Sequence, residues 1–137
     1  MKKYISIVLC IALIAALFAG CSPAGNAPES NTVTDGQTVG EGAVSFPLSI
    51  VDKDGNEINI TVNTGKETVG EALMELGIIE GEDGPYGLYM THVNGIPAIY
   101  EEDGSYWAFY INGEYAMTGI ELTPIADGEA YMLKVEQ

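Results

Sequence analysis

Hydrophobic and polar positions divide the 137-residue chain into three regimes. Ile5 to Ala19 is apolar with a single Ser. Ser22 to about Ala43 is mainly small and polar, with Val33 and Val39 as its only branched aliphatics. From Val44 onward short patterned runs return. Phe46, Leu48 and Ile50 alternate with other residues, as do Ile58, Ile60 and Val62, and period two places each set on one face of a strand. The stretch Asp52-Lys53-Asp54-Gly55-Asn56 between them carries hairpin-turn residues. A calcium loop is the competing reading, but Gly55 is at position 4 and Asn63 at position 12, where an EF-hand loop needs Gly at 6 and an acid at 12. Val69, Ala72, Leu73 and Leu76 then fall at i, i+3, i+4, i+7, one helical stripe. Thr68 and Glu71 form a capping box before it and Gly77 ends it. A helix of about ten residues must be held by packing on a sheet.

The second half is aromatic. Gly87 to Val93 reads as a strand closed by Asn94-Gly95. In Ser105 to Tyr115 the only tryptophan, Trp107, shares a face with Phe109 and Ile111, while Tyr106, Ala108 and Tyr110 point the other way. Trp107 and Phe109 are expected against the helix, and the Tyr106/Tyr110 face is the expected recognition surface. Asn112-Gly113 predicts a type I′ hairpin, since both central residues need positive φ. Glu129 to Val135 alternates again, with Tyr131, Leu133 and Val135 together. Glu80 to Gly84 and Glu101 to Gly104 read as acidic turns. Hairpin, helix and further antiparallel strands give an α+β class. The expected architecture is β-grasp-like, one short helix packed on a mixed or antiparallel sheet built from hairpins.

The start of the chain has the order of an export signal. Lys2 and Lys3 precede the apolar run, which is short for a membrane span and ends Leu17-Phe18-Ala19-Gly20-Cys21. Small residues directly before a cysteine resemble the bacterial lipobox. On that reading residues 1–20 are a signal peptide and Cys21 carries a lipid. Residues 21–43 form the lipidated, disordered tether, which cannot bury enough surface to offset its ordering entropy. Residues 44–137 form the domain. The expected location is extracytoplasmic, anchored to the cell membrane. The other cysteine, Cys10, lies in the signal, so the mature chain has no disulfide or thiol chemistry.

Charge narrows the partners. The chain carries −15, and loss of Lys2 and Lys3 takes it to −17, with Lys53, Lys66 and Lys134 as the remaining bases. Such a surface repels phosphate backbones, which excludes nucleic acid and leaves neutral ligands, cations or cationic partners. Catalysis has little support, because there is one histidine, His92, and no phosphate-binding glycine loop or zinc spacing. No catalytic residue and no cofactor is assigned. Binding fits better, since seven tyrosines follow residue 85 and amphipathic rings at a partly wet surface suit recognition. The candidate ligand contacts are Tyr89, His92, Tyr106, Tyr110 and Tyr115. Weaker metal candidates are Glu80, Glu82, Asp83, Glu101 and Asp103.

Tyr86 to Ile96, Tyr106 to Glu114, Gly119 and Asp127-Gly128, together with the Thr68–Leu76 helix, resemble the bacterial transcobalamin-like C-terminal domain family. That family is similar to the small β domain of the cobalamin carriers transcobalamin and intrinsic factor. The resemblance covers about Phe46 to Gln137. It implies a β-grasp-like sheet and a corrinoid or other ligand on an aromatic strand face. The expected function is therefore a surface-anchored, non-enzymatic binding lipoprotein with cobalamin as the first candidate ligand. The alternatives are a protein-interaction or adhesion module docking a surface partner, and a divalent-cation-binding domain.

Overall fold

The computed structural model describes residues 32–137. The expected signal peptide, the expected lipid site Cys21 and the expected tether as far as residue 31 lie outside the described residues. Among the described residues no helix is long and apolar enough to cross a membrane.

The first hairpin forms as its alternation requires. Strands β2 (Val44–Val51) and β3 (Glu57–Thr64) pair antiparallel with Leu48 opposite Ile60 and Ile50 opposite Ile58. Asp52 closes the turn, its carboxylate accepting the N–H groups of Asp54 and Asn56, each at 2.9 Å. Those bonds occupy the carboxylate that a calcium loop would need. Helix α1 (Val69–Glu75) follows with both halves of the Thr68/Glu71 capping box in place. Val69, Ala72 and Leu73 are fully buried. Gly77, at φ 67°, ends the helix in the left-handed region that a side chain would strain.

Two sheets complete the fold. The larger has the order β1-β3-β2-β9-β7-β8, with β1 at Thr38–Gly40, β7 at Tyr106–Ile111, β8 at Glu114–Tyr115 and β9 at Tyr131–Glu136. Its last long strand, β9, returns to the middle and runs parallel to β2 and antiparallel to β7. A hairpin, a crossing helix and a parallel central return make the α+β, β-grasp-like arrangement that the residue order implied. The smaller sheet is antiparallel, β4 (Ile79–Gly84), β5 (Gly87–Val93) and β6 (Ile96–Pro97). One core runs through the whole, with Phe46, Leu48, Val62, Leu73, Phe109 and Leu133 among its members. Tyr131 is its largest fully buried side chain, with Phe46 edge-on at 5.3 Å and Phe109 stacked at 6.0 Å between ring centroids.

Three expectations need correction. The acidic stretch Glu80–Gly84 belongs to β4, not to a turn. Ile79 is buried and the rest of the strand lies along the edge of the small sheet. Pairing with β5 creates this strand, and carboxylates on an open edge discourage further pairing. Glu101 to Asp103 lies in a single helical turn, α2 (Tyr100–Asp103), closed by Gly104 at φ 75°. The ordered domain also begins before residue 44. Val33 is buried, β1 pairs parallel with β3, and Asn94 grips Val33 by both main-chain groups, at 2.6 Å and 3.0 Å. Low hydrophobicity concealed this segment, which is held by strand pairing and one buried valine.

Candidate functional site

Strand β7 sorts its side chains as period two demands. Trp107 and Phe109 are core residues while Tyr106 and Tyr110 on the opposite face are half-buried. The Trp107 indole N–H donates to the Ile96 carbonyl at 3.1 Å, which ties β7 to the small sheet. The Asn112-Gly113 turn has φ 50° and 81° and sends the chain back through β8. The following segment, Ala116 to Ile120, comes over the junction of β5 and β7. It encloses a cleft of about 310 Å³ lined by Leu88, Met90, Trp107, Tyr115, Met117 and Ile120, among others. Met117 is 95% exposed and Tyr115 56% exposed, so the rim of this cleft is apolar and faces solvent.

A second cleft, of about 370 Å³, lies beside it at the β4–β5 turn and α2. Glu82, Asp83, Pro85, Tyr86, Tyr89 and Glu101 contribute to its walls. Leu88 borders both clefts. The Tyr89 hydroxyl accepts the Tyr100 N–H at 2.9 Å and donates to Glu101 Oε2 at 3.3 Å, so strand and helical turn are joined through one phenol.

Between the clefts stands Glu121, in the 3₁₀ turn Ile120–Leu122. Its Oε1 accepts the Leu88 N–H at 3.1 Å. Its Oε2 is buried without a hydrogen-bond partner among the described residues, a costly state for a carboxylate oxygen. Glycines make the room for this close packing. A Cβ on Gly119 would stand 2.6 Å from the carboxylate oxygens, and one on Gly70 would stand 2.7 Å from the Glu121 Cα.

The five candidate contacts do not converge. Tyr115 lines the first cleft and Tyr89 the second. Tyr110 is committed to the sheet, its hydroxyl donating to Glu136 Oε1 at 2.7 Å and its ring edge-on to Tyr115 at 5.6 Å. That carboxylate, with burial added, pushes the Tyr110 phenol up to about 12, and the same bond holds Glu136 below the usual carboxylate range. His92 Nδ1 lies 3.0 Å from the neighbouring Thr91 hydroxyl. Tyr106, Tyr110 and His92 line neither cleft. On the Tyr106/Tyr110 face, where the recognition surface is expected, the Tyr110 hydroxyl is engaged by Glu136. The metal candidates are divided between β4 and α2. No group of three or more His, Cys, Asp or Glu side chains among the described residues could hold a metal ion. Sequence reasoning missed Leu88, Met90, Met117 and the Gly119–Glu121 turn. An apolar Met117 in a connector just after a hairpin was the one available signal.

The family model described as a domain of unknown function (DUF4430) matches residues 66–136, just over half the chain. Among curated proteins none matches this sequence. Solved structures similar to this chain include a protein of Ruminococcus gnavus described as a candidate metal-binding protein. It has TM-score 0.64 and 26% identity, over 69% of this chain and 98% of that one. Haptocorrin in complex with Cbi is similar at TM-score 0.47 and 20% identity, over 69% of this chain and 25% of that one.

Proposed function

We propose that this chain, which belongs to the DUF4430 family, is a non-enzymatic binding module whose ligand lies in the cleft between β5, β7 and residues 116–120. The exposed Met117 at the mouth of a cleft backed by Trp107 carries this reading. A large apolar side chain left almost wholly in water beside a recess backed by Leu88, Met90 and Trp107 marks an interaction site. The cleft is at the small end of ligand-enclosing pockets, so it suits a ligand that is covered on one side. A corrinoid is a broad, flat body of that kind, and the sequence resemblance to the cobalamin-carrier β domain makes it the first ligand to test. A lipid on Cys21 would hold the module outside the cytoplasmic membrane.

A divalent cation is the second reading, favoured by the description of the Ruminococcus gnavus neighbour. Glu82, Asp83 and Glu101 share the second cleft, but no group of three or more such side chains among the described residues could hold a metal ion, which weighs against it.

Titration with cobalamin and separately with calcium, followed by Trp107 fluorescence at constant ionic strength, tests the proposal. A saturable cobalamin response that Met117→Asp weakens at least tenfold is expected. A saturable calcium response with none from cobalamin would replace the first reading by the second. Equal cobalamin responses from the two proteins would remove the cleft from the account.

A further inference from the structure

We infer that the cleft at Tyr86 and Tyr89 is a second binding site, for an organic cation, an ammonium group bearing apolar substituents. Glu82 is the cross-strand partner of Tyr89, so the two share a face of the small sheet, and Glu101 accepts from the Tyr89 hydroxyl. Two carboxylates therefore flank one phenol ring, and the ring is already fixed through its hydroxyl by the Tyr100 N–H. Tyr86, at the tip of the β4–β5 turn, is 99% exposed and supplies the outer wall. Leu88 and Pro85 give the cleft apolar surface.

The negative charge at this cleft has no protein counterion in it. None of its lining residues is basic; Lys66 and Lys134 pair with Glu75 and Glu136, and Lys53 acts on Asp103 at the end of α2, which does not line the cleft. Glu121 does not line this cleft; its Oε1 accepts the Leu88 N–H and so fixes a residue of the cleft wall.

Carboxylates alone would suggest a metal ion, but calcium takes six to eight converging oxygens. The described residues offer no group of even three metal-binding side chains. Aromatic walls, apolar surface and surrounding negative charge suit a large, weakly hydrated cation, which gains from ring faces as well as from carboxylates.

The test uses the intact chain at physiological salt, with choline, its neutral isostere 3,3-dimethylbutan-1-ol, and calcium as probes. Amide chemical shifts are followed by nuclear magnetic resonance. Choline is expected to shift the amides of residues 82–89 saturably, with the neutral isostere at least tenfold weaker. Tyr86→Ala and Glu82→Gln should each weaken choline at least fivefold while leaving the melting temperature unchanged, since both side chains are exposed. Equal binding of the isostere would overturn the inference, because the cleft would then read shape without charge. Choline shifts spread over all acidic surfaces, or calcium saturating the same amides more tightly, would overturn it as well. The Met117 cleft is read separately, by Trp107 fluorescence and by the amides of residues 115–120, which do not line this cleft.

Discussion

Tyr110 and Glu136 are joined by one hydrogen bond that leaves a signature at both ends of the pH scale. The phenol is raised from 10.0 to about 12, chiefly by that bond, so its contribution to stability is complete below pH 10 and is lost as pH rises through about 12. Glu136 is lowered from 4.5 by the same bond, so its contribution is present above pH 4.5 and is lost as pH falls through the depressed value. Tyr110→Phe removes the first wholly and the second in part, because Lys134 also holds Glu136 down. The difference in melting temperature between the natural protein and this variant should be widest and flat between about pH 5 and 10 and should narrow outside that window. Thermal melts across pH measure it directly, and a difference independent of pH would contradict the assignment.

At the scale of elements, local patterns were legible wherever one residue type has one conformational use. Asn94-Gly95 and Asn112-Gly113 all have positive φ, and Thr68 caps α1 through the box that Glu71 completes. The strand alternation fixed the β7 faces correctly. Phe109→Ala should therefore cost about 3–5 kcal/mol, as large-to-small changes in a packed core do. Tyr110→Ala should cost markedly less. Urea melts decide between the two, and the opposite ranking would mean that the faces are exchanged. The acidic elements were not legible, because β4 has no apolar alternation beyond Ile79 and is ordered by pairing with β5. The clefts were less legible still. Residues 88–90, 107–109 and 115–120 meet only after β9 has entered between β2 and β7 and the hairpin has turned the chain back over β5. No local periodicity encodes that meeting.

For the molecule as a whole, the fold begins earlier than composition suggested. Val33, its clamp on Asn94 and the parallel pairing of β1 add an N-terminal strap to the sheet. A chain started at Val44 should melt at a lower temperature than one started at Thr32, and Asn94→Ala in the longer chain should reproduce part of that loss. Equal melting of the three would show that the strap contributes nothing.

The claim that matters most is that the ligand surface is the Met117 cleft and not the tyrosine face of β7. Mapping cobalamin-induced amide shifts over residues 32–137 tests it most directly. The account predicts shifts concentrated at Leu88, Met90, Trp107 and residues 115–120, with Tyr106 and Glu136 unmoved. Shifts centred on Tyr106, Tyr110 and Glu136 instead, or none at saturating cobalamin, would contradict it.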